Sequence, residues 1–560
     1  MRRRFAVALL GVLTAGCQDS VKPRPTEGGL DQITVTYLCG NRFELRNQDA
    51  ADKLVHYAVL GTEETGDVLL PAGMSSAPSI TRLTAVSRGP LQISTSDGST
   101  EPVENGATAC PAPAPQQPQA ESGEWSPPFS WPVVAVHLHL LPTGRVLSWG
   151  RIGAPQLYNP ADGSFSEVPS ATMVFCSGHS FLADGRLLVS GGHLDDRRGI
   201  RDANLFDPVS QSWLPVSSMS FARWYPTTTT LGNGEVISLA GTDQFAEQVE
   251  IPEIWSGASW RQLGGAARAL PYYPRTFVAP SGLLFYAGEL QQSAYLDPAG
   301  TGRWIPGPSS NYGRRDYGSA VMYQPGKVLI LGGSDPPDGA PTSTAELIDL
   351  NQPQPSWHYT ESMRYPRRQF NATLLPDGQV LATGGTSAPG FSDPAGAVHA
   401  AELWSPVTGQ WRVLASNQTT RVYHSTTLLL PDGRVLHSGS GDGPGLPREL
   451  NAEIFSPPYL FRGARPRLQE APAQAGFGEN LLVSSPDALK VVRVTLVRLG
   501  SVTHGFDQSQ RFLELSFRRV AGGLSVQAPI SGSMAPPGPY LLTLLDDADV
   551  PSTSAIILIH

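Results

Sequence analysis

Asp184-Gly185-Arg186-Leu187-Leu188-Val189-Ser190-Gly191-Gly192 reads as a tight turn, a short apolar strand and a glycine pair, and its outline returns six more times along the chain. The other copies begin at Thr143-Gly144-Arg145-Val146-Leu147, Asn233-Gly234-Glu235-Val236-Ile237, Ser281-Gly282-Leu283-Leu284-Phe285, Gly326-Lys327-Val328-Leu329-Ile330, Asp377-Gly378-Gln379-Val380-Leu381 and Asp432-Gly433-Arg434-Val435-Leu436. Their turn glycines are separated by 41, 49, 48, 44, 52 and 55 residues. A period of that length is one four-stranded blade, and seven copies predict a seven-bladed β-propeller.

Each unit continues into a strand such as Ala203-Asn204-Leu205-Phe206-Asp207-Pro208 or Ala401-Glu402-Leu403-Trp404-Ser405-Pro406, and several then carry a tryptophan beyond a turn: Trp213, Trp260, Trp304, Trp357 and Trp411. Glycines allow sharp hairpins near the axis, while the aromatics fill the wedge between blades. The repeats are of kelch type and occupy 125–457. After Pro457 the pattern gives way to alternating strands, among them Val491 to Val497 and Tyr540 to Leu545, which predict an immunoglobulin-like sandwich over 458–560. Before the propeller, 111–124 is rich in proline and glutamine and reads as a solvated linker. It follows a small β-rich domain over 17–110. The fold class is all-β throughout.

Composition agrees. The 560-residue chain has 58 glycines, 51 prolines, 40% apolar residues and only 16% charged ones, as a turn-rich β protein requires. Arg2, Arg3 and Arg4, the apolar run Phe5 to Leu13 and the small residues before Cys17 describe an export signal over 1–16, too short to span a bilayer. The Gly16-Cys17 pair resembles a bacterial lipoprotein cleavage site, so the exported chain is either anchored by lipid at Cys17 or freely secreted. Removing three arginines moves the formal charge from −9 to −12, and no basic stripe exists to hold nucleic acid. Of four cysteines, Cys17 ends the signal and Cys39 and Cys110 flank the small domain as a plausible bridge. Cys176 is left over.

That thiol lies in one of four separated stretches that carry chemistry: Phe175-Cys176-Ser177-Gly178, Arg223-Trp224-Tyr225-Pro226, Arg421-Val422-Tyr423-His424 and Val502-Thr503-His504-Gly505-Phe506. Two tyrosines, two histidines and a free cysteine form a set suited to Cu(II), which favours tetragonal nitrogen and oxygen ligation. Three other groups are candidates of a lesser kind. His137 and His139 share one face of a strand as a metal pair, and Asp195-Asp196-Arg197-Arg198 and Arg314-Arg315 lie on connections near a blade end, read as solvated loops or pocket contacts.

These stretches, with the Gly-Gly strands and the run from Pro536 to Ser552, resemble the galactose oxidase and glyoxal oxidase family of copper radical oxidases over about Ser126 to His560. Arg-Trp-Tyr-Pro is closer to the glyoxal oxidase branch. The resemblance implies one copper ion held by Tyr225, Tyr423, His424 and His504, with Cys176 joined through sulfur to the ring of Tyr225 as a thioether radical cofactor. Catalytic roles then fall to Cys176, Tyr225 and Tyr423. The family also places a tryptophan over the thioether tyrosine; at the matching place this chain has Asp243, which leaves Trp224, Tyr312 and Tyr317 as replacements.

The implied reaction oxidises small aldehydes, as hydrates, or primary alcohols with O2 and yields H2O2, in a protein expected to be a monomer. A non-enzymatic carbohydrate-binding or adhesion propeller, and a copper-binding protein without turnover, are the alternatives. Convergence of Cys176, Tyr225, Tyr423, His424 and His504 separates the oxidase from the carbohydrate-binding or adhesion propeller.

Overall fold

The computed structural model of the chain describes residues 32–39, 42–49, 51–70, 79–84, 89–95, 98–104, 118–443 and 445–560. The export signal, Cys17 and the pairing of Cys39 with Cys110 lie outside the described residues, as does the stretch 111–117. Two units emerge, one of residues 1–115 with 516–521 and one of 116–515 with 522–560. In the first, strands Ile33–Cys39, Arg42–Asn47 and Ser79–Thr84 form one small sheet, and Thr65–Leu70, Lys53–Val59, Leu91–Thr95 and Gly98–Ser99 another. Ile33, Phe43, Leu45, Val55 and Leu91 belong to their common core.

In the second unit the repeated turns are built alike. The side-chain oxygens of Asp184, Asn233, Asp377 and Asp432 accept the amide two residues on, at 3.0, 3.1, 3.1 and 3.0 Å. The glycine after each has φ between 83° and 86°, a left-handed conformation that costs glycine little. These turns join the first two strands of each blade. The seven innermost strands are His137–Leu140, Gly178–Phe181, Thr227–Thr230, Thr276–Val278, Ser319–Gln324, Asn371–Leu374 and Ser425–Leu429, each the first of a four-stranded antiparallel set.

The sets form a closed ring, a seven-bladed propeller. Hydroxyl pairs cross between blades: Ser180 with Thr230 and Thr229 with Thr276 join neighbouring innermost strands at 2.7 Å, and Thr383, on the second strand of the sixth blade, meets Thr427 at 2.9 Å. Thr426 Oγ1 donates to the Ala135 carbonyl at 2.6 Å and so links the last blade to the first. The seventh blade takes its outer strand from the other end of the ring: Glu124–Trp125 pairs with Asn451–Ser456. Farther out, the indole N–H groups of Trp213, Trp260 and Trp304 donate to the Val168, Ser217 and Ala266 carbonyls of the preceding blade at 2.8, 2.8 and 2.9 Å. Trp411 and Trp125 repeat this with Glu361 and Ala415, each at 2.9 Å. The tryptophans therefore bind blade to blade as well as filling space.

The linker reading needs one correction. Residues 118–124 are folded, with a helical turn over Gln119–Ser122 followed by the closing strand. Composition suggested solvation there, but the segment supplies a backbone edge, which composition does not report.

Beyond the ring, Ala555–Ile559, Gly538–Leu545, Arg493–Arg498 and Phe512–Leu515 form the larger sheet of the carboxy-terminal sandwich, and Asn480–Ser484 pairs with Gly523–Gln527 in the other. A hairpin, Ser501–Thr503 with Phe506–Asp507, leaves this module and enters the ring. It pairs antiparallel with the free inner edge of His137–Leu140, Thr503 opposite His137 and Ser501 opposite His139. Gln508, just after it, accepts the His179 and Thr228 amides at 3.1 and 2.9 Å, which fastens the hairpin to two further blades.

Four blades share one more device, a buried arginine paired with a buried glutamate: Arg223 with Glu253, Arg315 with Glu346, Arg367 with Glu402 and Arg421 with Glu453, at 3.0, 2.7, 2.7 and 3.1 Å. Each glutamate also accepts backbone amides of the segment entering its blade, as Glu453 does from Gln418 at 2.7 Å and Thr419 at 3.2 Å. Removing one partner strands a buried charge, so Glu402→Ala should cost about 3–5 kcal/mol. Removing the exposed partner of Arg186 in Asp184→Asn should cost less than about 1 kcal/mol. Thermal and chemical unfolding of both variants against the wild type checks the contrast.

Candidate metal centre

One repeat position builds the centre. Cys176, Tyr225, Tyr273, Tyr317, Gln369 and His424 each stand nine residues before the turn glycine of their own blade. All six have positive φ, at 62°, 65°, 45°, 50°, 54° and 69°. A non-glycine residue pays for this conformation and keeps it only where its surroundings over-determine it. Here the strand begins one to three residues later, and the left-handed residue turns its side chain toward the axis from the strand's entrance. In the first blade the equivalent residue is Ala135, too small to reach inward. His504, itself at φ 48°, arrives on the inserted hairpin beside that blade.

The five residues singled out from sequence come together. Tyr225 Oη lies 2.6 Å from Tyr423 Oη and 3.4 Å from His424 Nε2. The His424 and His504 rings are 4.7 Å apart, and Tyr225 and His504 4.4 Å. Cys176 is free, fully buried and packed in one cluster with Trp224, Tyr225 and Tyr273. Its carbonyl accepts the Tyr225 amide at 2.9 Å.

Both imidazoles are oriented through Nδ1. In His424 it donates to the Gly441 carbonyl at 2.6 Å, and in His504 it meets Thr503 Oγ1 at 2.7 Å. Each therefore presents Nε2 to the centre, and buried His504 Nε2 has no partner. Burial pushes the His424 pKa down to about 3, and burial followed by the neighbouring rings holds His504 well below its ordinary value. Both are neutral donors. Burial also raises the Tyr225 and Tyr423 phenols, so an ionised phenolate here needs a cation beside it. Two phenol oxygens and two Nε2 atoms, one orphaned, fit a Cu(II) ion.

Tyr423 and His424 are adjacent yet both face the centre. Arg223, Arg315 and Arg367 precede the left-handed residue by two positions and donate to a carbonyl 17 residues on, whereas Arg421 precedes His424 by three and reaches Gly439, 18 residues on. The seventh blade carries one extra residue at its entrance. With His424 left-handed, Tyr423 and His424 stack at 3.8 Å between ring centroids.

The stacking group is Trp224. Its ring lies parallel to Tyr225, 3.5 Å between centroids and 6° between planes, and its Nε1 donates to His193 Nδ1 at 3.2 Å. Asp243 instead caps its own loop, accepting the Phe245 and Glu247 amides at 2.8 and 3.0 Å. Tyr317 stands edge-on to Tyr423, and Tyr312 lies beneath the Arg315 guanidinium. Sequence reading missed Tyr273 and Gln369; the shared nine-residue offset was the signal that marks them. Tyr273 stacks on His504 at 4.6 Å, and neither amide atom of buried Gln369 has a partner. Phe391, 41% exposed, covers Tyr423 at 4.7 Å.

The remaining candidates lie elsewhere. Asp195, Asp196 and Arg197 form an exposed hairpin tip, with Asp196 paired to Arg151 at 3.0 Å. Arg315 is spent on Glu346 and Arg314 on Glu289, while His137 and His139 bond to His179 and Ser501 rather than flanking a metal position.

Two family models match the carboxy-terminal half of the chain. Residues 337–459 match the family described as glyoxal oxidase N-terminus, and 465–559 the galactose oxidase-like, Early set domain. Over these two stretches the chain resembles the galactose oxidase and glyoxal oxidase family of copper radical oxidases. It is 28% identical over 491 residues to a galactose oxidase of Gibberella zeae, covering 79% of this chain and 71% of that one. To the aldehyde oxidase GLOX of Vitis pseudoreticulata it is 29% identical over 428 residues, 66% and 79% of the two chains. A fungal alcohol oxidase solved in complex with copper shares the fold, with TM-score 0.72, 24% identity, and coverage of 78% of this chain and all of that one.

Gly505 follows His504 at φ 75°, and a Cβ there would stand 2.4 Å from the Phe370 carbonyl oxygen. His504→Ala deletes a nitrogen donor and Gly505→Ala displaces the hairpin that carries it. Both should lower Cu(II) affinity by about tenfold or more in calorimetric titration; unchanged affinity in both would place the metal elsewhere.

Proposed function

We propose that the protein is an exported copper oxidase that converts small aldehydes, reacting as hydrates, or simple primary alcohols, using O2 and releasing H2O2. The observation that carries this reading is the buried thiol packed against a phenol that itself lies 2.6 Å from a second phenol. A carbohydrate-binding propeller without turnover has no use for that arrangement.

Tyr225, Tyr423, His424 and His504 hold the metal, and Cys176 bonds to the ring of Tyr225. When bound, the copper supplies a Lewis-acid position for the substrate oxygen and accepts one of the two electrons the oxidation releases. Tyr225 supplies the other equivalent: sulfur substitution makes its ring easier to oxidise, and the oxidised ring takes a hydrogen atom from the substrate carbon. Tyr423 accepts the substrate hydroxyl proton as general base. Trp224 covers one face of the Tyr225 ring and keeps water from it, while Phe391 does the same for Tyr423. Dioxygen then takes back two electrons and two protons as peroxide.

A small substrate suits the surroundings. Trp224, Tyr273, Tyr317 and Phe391 bring rings to the centre, which favours a compact, weakly polar molecule over a sugar. The relatives carry both names, galactose oxidase and aldehyde oxidase. The amino-terminal sequence supports export, with Cys17 lipidated or the chain secreted, and no described helix is long and apolar enough to cross a membrane.

On copper-loaded, oxidised protein, oxygen consumption and peroxide release should show higher kcat/KM for methylglyoxal or glycolaldehyde than for galactose; a clear preference for galactose overturns the substrate assignment. Cys176→Ser should still bind copper, since no ligand is lost, yet turn over at about a hundredth of the wild-type rate or less.

A further inference from the structure

Behind the centre lies a fully buried chain of hydrogen bonds that the reaction does not use. The Cys176 amide donates to His137 Nε2 at 3.0 Å. With that nitrogen an acceptor, His137 Nδ1 carries the proton and donates to His179 Nε2, also at 3.0 Å. His179 Nδ1 in turn donates to Ser501 Oγ at 2.6 Å, and Ser501 Oγ also meets the His179 carbonyl at 3.3 Å and His139 Nδ1 at 3.0 Å. One donor at the head of the chain thus fixes the tautomers of His137 and His179. Burial keeps all three imidazoles neutral. Trp149 stacks on His137 and His139, at 5.0 and 4.5 Å, and holds both rings in plane.

The two ends of the chain matter. Its head is the backbone of Cys176, held at φ 62°. Its tail is Ser501, on the hairpin that carries His504 three residues later. Cys176 has its carbonyl bonded to Tyr225 and its amide bonded to His137, so the histidine is one of the two polar groups that keep it left-handed.

We infer that His137 is a positioning residue for maturation of the cofactor, aiming the Cys176 thiol at the Tyr225 ring through the Cys176 amide, with His179 and Ser501 fixing its orientation. The inference rests on the proposed function. In the step it serves, a carbon–sulfur bond forms, the S–H and one ring C–H bond break, and two electrons and two protons pass to dioxygen as hydrogen peroxide in the presence of copper. Without the acceptor, the Cys176 amide is a buried donor left unpaired, and the left-handed backbone loses a constraint.

The test is the rate of thioether formation, read by denaturing mass spectrometry as the loss of two hydrogens after metal-free protein receives Cu(II) and air. His137→Gln puts an amide oxygen where Nε2 stands, whereas His137→Asn, also polar, reaches only to Nδ1, and His137→Leu has no acceptor. The glutamine variant should cross-link within about threefold of wild type, and the asparagine and leucine variants about tenfold more slowly. Cu(II) affinity should stay within about threefold in all of them, because no ligand is touched. A structural role alone would move thermal stability and copper affinity with the rate. If the leucine variant does not fold, the glutamine–asparagine pair decides. Wild-type rates in the asparagine variant, or a glutamine variant as slow as leucine, overturn the inference. Wild-type protein that never cross-links overturns the functional reading instead.

Discussion

The pairing of Ser501–Thr503 with the inner edge of His137–Leu140 is the constraint on which the rest depends. A propeller blade normally leaves the edge of its innermost strand facing the axis, where amide and carbonyl groups lack partners. An unpaired edge buried in a protein is costly, so something must satisfy it. Here the satisfying strand is delivered by another module, and the same hairpin brings His504 to the candidate centre. Fold stability and site assembly are therefore served by one set of backbone hydrogen bonds. The Gln508 side chain extends them to the second and third blades, whose entrances hold Cys176 and Tyr225.

Strain is distributed in the same economical way. Six neighbouring blades each hold a left-handed non-glycine residue at their entrance, a conformation worth roughly 1–3 kcal/mol of cost apiece. Buried arginine–glutamate pairs sit beside Tyr225, Tyr317, Gln369 and His424 and tie each entrance to its own blade. The pairs gain little net stability by themselves, because desolvation offsets attraction. Their value is geometric: both members can be satisfied only when the entrance follows one path, and that path turns the next residues inward.

Much of this was legible in the sequence because it repeats. The Asp-Gly turns gave the number of blades and their spacing, and the same period, read nine residues upstream, marks the residues around the centre. Tyr273 and Gln369 escaped notice because each looks ordinary alone and acquires meaning only by register. Trp224 was visible as a candidate, but its stacking on the adjacent Tyr225 depends on a positive φ that no side-chain pattern reveals. The closing strand at Glu124–Trp125 was hidden for a different reason. A two-residue strand has no periodicity, and its neighbours Gln117 to Glu121 carry the composition of a linker.

That closing strand has a consequence for how the molecule is made. Glu124 and Trp125 emerge from synthesis before any blade exists, yet their partner strand, Asn451–Ser456, comes more than three hundred residues later. Until the two meet, the seventh blade presents an open edge and the incoming segment has no docking place. Such long-range closure is slow in folding, and an unmet edge invites pairing with a second molecule. During folding, then, the vulnerable interval is the time between completing the last blade and recruiting the first strand, and misassembled material should consist of rings joined through exchanged closing strands.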